Sequence, residues 1–386
     1  MLPELTIDLG TPPFWFAVLA AVVVIVPLVH GRLRAIVIAS FDLGFACVCA
    51  GSAGAPFVVG LVAGTYLLVS LIRPDAILRT RIAAVSIGGA LLVLFVAHKL
   101  PSIELPSGAR GALSAIGFSY VVLRAVELVR AVVEQRHPRP RPDEVISYLL
   151  PFHMLAAGPI QAYDEFRGQP AIPEALTWAT ALGGLERIAS GLFKKFVIAQ
   201  VIQEVLLTGF TARGPYLILE AQANYLWLYL DFSAYSDIAV GIGMLLGRAT
   251  PENFANPLAA RNLTEFWERW HISLSQFVRR NLFIPIQLAL GRRTHDAHPL
   301  VSASVALGVA FLLVGLWHGL SLRFLAWGGL HACVLIATNA YKHALHAKLG
   351  RKGVKAYLAR RSIRVISTVL TFELVAFSLV LVSYPF

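Results

Sequence analysis

Among the histidines of this chain, His318 occupies the position where an imidazole is hardest to explain as ornament. It stands in Gly315-Leu316-Trp317-His318-Gly319-Leu320, at the end of an almost wholly apolar run that starts near Val301. About 17 residues at 1.5 Å per residue carry a helix most of the way across a bilayer. An imidazole at such a depth is costly unless it is hydrogen-bonded or used. Its pKa near operating pH lets it take up and return a proton, which suits general acid–base catalysis or proton-linked transport. The plain alternative is a satisfied polar residue.

Other polar groups break apolar stretches. Asp231 and Asp237 lie in Asp231-Phe232-Ser233-Ala234-Tyr235-Ser236-Asp237. Their spacing puts the two carboxylates on different faces of a helix, so they make no ready acid/base pair. With hydroxyls one turn away they predict a buried polar network, which either pins the helix or orients a histidine. Lys194 and Lys195 interrupt an apolar helix, where they snorkel to an interface or hold an anion. Gly158-Pro159 breaks the run 151–160 and predicts a kink or re-entrant turn. In 262–285, Phe266, Trp270, Leu274, Phe277 and Val278 recur at helical spacing between charged residues. This predicts one amphipathic helix at the membrane interface, with His271 beside Trp270 at its centre.

Several chemistries are absent from the sequence. There is no HExxH spacing, no Gly-x-Ser-x-Gly turn, and no histidine followed five residues later by aspartate. Cys47, Cys49 and Cys333 fall in apolar segments with no CxxC pair, where a thiol serves as a small hydrophobe. No metal constellation is visible.

The elements that must position these residues are membrane helices. The chain of 386 residues is 57% hydrophobic and 14% charged, against about 25% charged in soluble domains. Apolar runs cover 14–29, 35–50, 56–72, 82–97, 113–133, 301–317, 324–340 and 365–382. Roughly ten or eleven membrane segments are expected in all, some tilted or re-entrant. The first run has no basic region before it and no small-residue cleavage site after it, so it reads as a retained helix. The expected fold is an all-α, polytopic integral membrane protein of one domain over 1–386. It comprises N-terminal helices (1–112), a central region (113–345), and a basic loop with a last helix (346–386).

The net charge of +11 is unevenly spread. Arg32 and Arg34, then Arg73, Arg79 and Arg81, then Arg136, Arg139 and Arg141 follow alternate helices, and the N-terminal tail carries only Glu4 and Asp8. Positive charge on alternate loops predicts an outside N-terminus and cytoplasmic basic loops. The loops 291–298 and 341–364 are also basic. They signal topology and attract anionic membrane lipids, or they dock an anionic donor. Basic charge confined to membrane loops argues against nucleic acid.

In this order, Ala157-Gly158-Pro159-Ile160, Gly191-Leu192-Phe193-Lys194-Lys195, Asp231–Asp237, Phe266-Trp267-Glu268-Arg269-Trp270-His271-Ile272-Ser273-Leu274-Ser275 and Gly315–Gly319 resemble the membrane-bound O-acyltransferase family. The resemblance is to its bacterial branch, which includes alginate O-acetyltransferases and teichoic-acid D-alanyl transfer proteins. It implies a helical bundle around a central pore, a cytoplasmic donor site, and an acceptor site reached from outside or from the bilayer. It marks His318 as catalytic and His271 as a second functional position. Relatives carry an Arg-Asp pair where this chain has Arg279-Arg280.

The resemblance implies transfer of a short acyl group, acetyl or D-alanyl, to a hydroxyl of an exported envelope glycan. The donor is a thioester, acyl-coenzyme A or acyl-carrier protein, with no tightly bound cofactor. His318 then acts as base, or as nucleophile through an acyl-histidine. His271 polarises the carbonyl or holds the donor, and Asp231 or Asp237 supports a histidine. Trp317, Trp270 and Ser273 line or brace the site. The expected location is a bacterial inner membrane, with any periplasmic acyl-transfer partner a separate chain. The rival readings are a transporter, against which no internal repeat is found, and a membrane scaffold.

Overall fold

The computed structural model describes residues 12–25, 31–72, 77–106, 108–168, 177–207, 216–293 and 298–383. The acidic N-terminal tail, Arg73 and part of the loop 291–298 lie outside the described residues. Every regular element described is helical, and the one extended pairing is an isolated bridge between Phe254 and Trp270.

Four helices are long and apolar enough to cross a membrane: Gly31–Ser70, Pro299–His318, Leu322–Ala359 and Arg361–Ser383. Ala109–Ala115 and Phe118–Val133, bent by 74°, form a fifth if they are one span. Phe14–Val23 and Val85–Lys99 are shorter apolar helices. The described residues therefore supply fewer clear spans than the ten or eleven read from hydropathy. One reason is that separate apolar runs can belong to one element: 35–50 and 56–72 are two arms of Gly31–Ser70, which breaks at Gly51 with φ 70°.

Pro299–His318 shows why these helices belong in lipid. Its proline sits in the first turn, where the missing N–H costs nothing. Ser302, Ala306, Ala310 and Val314 form a buried stripe, while Val301, Val305, Val309 and Leu313 form an exposed one. A helix apolar on its exposed face as well as its buried one is solvated by hydrocarbon.

The chain divides into two compact units that interleave in sequence. The first comprises residues 3–190 and 237–251. Its centre is Arg124, fully buried on Phe118–Val133. The guanidinium donates to the carbonyls of Leu149 (3.2 Å), Met154 (2.6 Å) and Pro159 (3.3 Å). The segment 151–160 that the sequence marks as a kink is thus a 3-10 turn at Phe152–Met154 followed by irregular buried chain. Arg124 satisfies carbonyls that this chain cannot pair with itself. Asp42 accepts from the Phe152 N–H (3.0 Å) and from Arg248 (3.3 Å), tying the same segment to Gly31–Ser70. Arg124→Met strands three buried carbonyls and is expected to cost about 3 kcal/mol or more. A thermal melt in detergent, read beside the conservative Arg124→Lys, measures it.

The second unit comprises residues 191–236 and 252–386, apart from the extreme N-terminus. Pro299–His318 and Leu322–Ala359 form a tight antiparallel hairpin joined through Gly319–Ser321. A Cβ on Gly315 would lie 2.3 Å from the Phe324 carbonyl, and one on Gly328 would lie 2.4 Å from the Phe311 carbonyl. Only hydrogen fits at these two positions, so the backbones approach closely and the flanking side chains are pressed together.

Two sequence expectations are corrected in this unit. Residues 262–285 are not one amphipathic helix. They form Leu263–Arg269, a break at Trp270 and His271, Ile272–Val278 and a π-helical turn Arg279–Phe283. The break follows from backbone pairing across it: Ala255 N–H donates to Arg269 O and Ile272 N–H to Asn253 O, both at 3.0 Å. The basic stretch 341–364 is helix, not loop. Leu322–Ala359 reverses at Gly350, φ 62°, where a residue with a Cβ would be strained. Tyr341 Oη lies 3.2 Å from Tyr357 Oη across 16 residues, a separation of about 24 Å in a straight helix. The basic residues therefore decorate a helical hairpin.

Candidate active site

His318 closes Pro299–His318 as its last residue. Opposite it, Phe324, Trp327 and His331 recur at spacings of three and four on Leu322–Ala359, so they share one face. Because the glycines let the helices close, that face meets His318. The imidazole stacks against Phe324 (centroids 6.1 Å, 17°), meets Trp327 edge-on (5.5 Å, 85°) and touches Trp317 (4.7 Å). His318 is half-buried in this aromatic box and lies within electrostatic reach of both His271 and His331.

His271 is 3% exposed and takes a left-handed conformation, φ 46°, at the break between Leu263–Arg269 and Ile272–Val278. A non-glycine residue there is strained and persists only when its surroundings fix it. Asn253 does so. Its Oδ1 accepts from Ser273 Oγ (2.7 Å), Ser273 N–H (3.2 Å) and His271 Nδ1 (3.2 Å). An amide oxygen only accepts, so His271 carries a proton on Nδ1, and when the ring is neutral its lone pair is on Nε2. Phe232 stands perpendicular to the ring at 4.8 Å.

His331, 2% exposed, has the opposite tautomer. Trp267 Nε1–H donates to its Nδ1 (3.2 Å), and an indole nitrogen can only donate. The proton is therefore on Nε2, which donates to Ser378 Oγ (3.0 Å); Ser378 in turn donates to the Val375 carbonyl (2.8 Å).

The structure sorts the sequence candidates. His318 and Trp317 are adjacent and in contact, with His271 nearby; Ser273 shares the Asn253 anchor with His271. Trp270 lies in an aromatic cluster, stacked on Phe266 (5.5 Å, 21°) with Phe254 at 5.1 Å. The two carboxylates pair with cations: Asp231 with Lys195 in the second unit, and Asp237 with Arg187 (2.7 Å) in the first. Lys195 is thus the ion-pair partner of Asp231. The hydrogen-bond partner of His271 is Asn253, which sequence reasoning passed over along with Trp267, Trp327, His331 and Ser378. The spacing of Phe324, Trp327 and His331 was the available signal. Among the described residues no group of three His, Cys, Asp or Glu is arranged to hold a metal.

Lys195→Met leaves the partly buried Asp231 charge alone and is expected to destabilise more than Lys195→Met with Asp231→Leu together. A double-mutant cycle on thermal midpoints should return a coupling of about 1 kcal/mol or more.

His318 is thus a half-buried imidazole walled by aromatic rings at the end of an apolar, membrane-length helix. Residues 85–377 match the MBOAT, membrane-bound O-acyltransferase family, and the chain belongs to it. The chain is similar to the peptidoglycan O-acetyltransferase of Helicobacter pylori, 36% identical over 199 residues, 50% of this chain and 36% of that protein. It is similar to the teichoic acid D-alanyltransferase of Bacillus subtilis, 25% identical over 303 residues, 75% of this chain and 74% of that protein. To the probable alginate O-acetylase of Pseudomonas syringae it is 31% identical over 233 residues, 58% of this chain and 43% of that protein. The match thus spans about a third of the Helicobacter protein and under half of the Pseudomonas one.

Proposed function

We propose that this chain moves a short acyl group, acetyl or D-alanyl, from a thioester donor to a hydroxyl of an exported cell-envelope glycan or polymer. His318 is the general base. The observation that carries the reading is the environment of His318: a helix-end imidazole walled by Trp317, Phe324 and Trp327, within electrostatic reach of two histidines whose Nδ1 atoms are already engaged. The relatives' activities on peptidoglycan, teichoic acid and alginate support the class of acceptor.

In this mechanism His318 takes the proton of the acceptor hydroxyl as its oxygen bonds to the thioester carbonyl carbon. The carbon–sulfur bond breaks, and the imidazolium returns the proton to the departing thiolate. An ester and a thiol leave, and His318 is restored. The aromatic walls limit water, which would otherwise take the acyl group. With Nδ1–H held by Asn253, neutral His271 offers Nε2 as an acceptor. That suits gripping an N–H of the pantetheine arm shared by coenzyme A and acyl-carrier protein; polarising the carbonyl would need a second proton on the ring.

The donor enters from the cytoplasm of a bacterial inner-membrane protein whose N-terminus lies outside. Exposed Lys348, Arg351, Lys352 and Lys355 on the basic hairpin suit its phosphates or an acidic carrier. The test is alkali-labile acyl ester in the envelope of a deletion strain carrying wild type or His318→Ala. Ester restored by wild type alone supports the reading, and the released acid names the acyl group. Equal restoration of the phenotype with unchanged ester overturns it in favour of a transporter or a membrane scaffold.

A further inference from the structure

The proposed mechanism makes no use of His331, although it is the most completely wired histidine of the site. Its two ring nitrogens join three helices: Leu263–Arg269 through Trp267, its own helix, and Arg361–Ser383 through Ser378. Every link in the chain Trp267 Nε1–H to His331 Nδ1, His331 Nε2–H to Ser378 Oγ, Ser378 Oγ–H to Val375 O has its donor and acceptor matched. A second proton on His331 would break the Trp267 link, because Nδ1 would then oppose another donor. His331 is therefore unfit as a base, and its buried polar chain asks for another purpose.

Trp327 supplies it. Its ring centroid is 4.5 Å from that of His331 and 5.5 Å from that of His318, so the indole is in ring contact with both imidazoles. Trp267 stands 6.0 Å away on a further side. The Trp327 Nε1–H is buried with no hydrogen-bond partner among the described residues, so no polar anchor of its own fixes this ring. Its neighbours do.

We propose that His331 is a positioning residue: locked as the neutral Nε2–H tautomer between Trp267 and Ser378, it holds the Trp327 indole against His318. The inference rests on the acyl-transfer reading for its purpose, though not for its geometry. When His318 takes the acceptor's proton it becomes an imidazolium, and the indole, perpendicular to it at 5.5 Å, stabilises that cation by receiving the imidazolium edge on its face. A loosened indole withdraws that help only when the charge has formed, so the effect falls on kcat and not on the binding of either substrate.

The test uses the full-length protein in lipid. His331→Leu is expected to lower kcat about threefold to thirtyfold with donor and acceptor KM within about twofold. His331→Gln, whose amide can accept from Trp267 and donate to Ser378, is expected to restore most of the loss. Trp267→Phe, which removes the N–H together with the pyrrole ring but keeps an aromatic ring, is expected to reproduce the loss and decides the matter if His331→Leu fails to fold. Independently of activity, solid-state 15N spectra of histidine-labelled protein should contain one ring, absent in His331→Gln, that stays neutral and protonated on Nε2 from about pH 5 to about 8. A His331 signal that titrates in that range, an Nδ1–H tautomer, a loss carried by KM, or wild-type kcat in folded His331→Leu or Trp267→Phe each overturns the proposal. If wild type makes no His318-dependent ester while the spectra show the fixed tautomer, the acyl-transfer reading falls and the lock on His331 stands.

Discussion

Replacing His318 by alanine is expected to lower acyl transfer about 10²- to 10⁴-fold, the range a positioned general base contributes. The protein should remain folded. His318 is only half-buried at the tip of the hairpin, and the close packing at Gly315 and Gly328 does not depend on its ring. A purified His318→Ala protein in lipid, assayed with acetyl- or D-alanyl-thioester, checks both points through turnover and melting midpoint. Added imidazole should recover part of the activity if the ring serves as a base. His271→Ala should lose about tenfold to a hundredfold, mostly in donor KM, because a hydrogen bond that grips the donor is made before the transition state as well as in it. A His318→Ala protein that turns over at the wild-type rate would sink the mechanism outright.

Asn253→Ala is expected to damage stability and activity together. One amide oxygen serves Ser273 Oγ, Ser273 N–H and His271 Nδ1. Its removal leaves buried donors unpaired at about 1–3 kcal/mol each, so a loss of about 3 kcal/mol or more is expected. The left-handed turn at His271 also loses what fixes it, and the ring no longer presents Nε2 in one direction. Activity should therefore fall by at least about tenfold even at temperatures where the variant is folded. Asn253→Asp keeps the acceptor for His271 and Ser273 but places a carboxyl group in a fully buried site, so it should recover the anchoring of His271 and donor KM more than the stability. Circular dichroism melts and donor KM separate the two effects. An Asn253→Ala protein with unchanged melting and unchanged KM would show that Asn253 does not hold His271.

The outcome at Asp231 and Asp237 shows where spacing arguments stop. Spacing correctly separated the two carboxylates onto different helix faces, but it could not say what each would meet. Lys195, 36 residues before Asp231, supplies one counter-charge, and Arg187 supplies the other. The lysine read as a snorkelling residue and the aspartate read as a support for histidine are one ion pair. Burial makes such pairing compulsory, and the fold selects the partner.

Residues 262–285 make the same point for backbone. Phe266, Trp270, Leu274 and Phe277 do recur at helical spacing, and helices do form on both sides of the break. Local periodicity carries no trace of the interruption, because its cause is the segment near Asn253, which pairs with the chain on both sides of His271.

The sequence by itself determined the solvent of this protein, most of its apolar helices, the hairpin whose tip carries His318, and the family words that mark its site. Those features follow from composition and short-range periodicity, which act within one helix. Only the tertiary structure decided which groups hold the histidines: Asn253 on His271 from 18 residues away, Trp267 on His331 from 64, and Ser378 on His331 from 47. It decided the tautomers as well. A ring nitrogen becomes donor or acceptor according to the atom packed against it, and that atom is brought there by helices meeting in space.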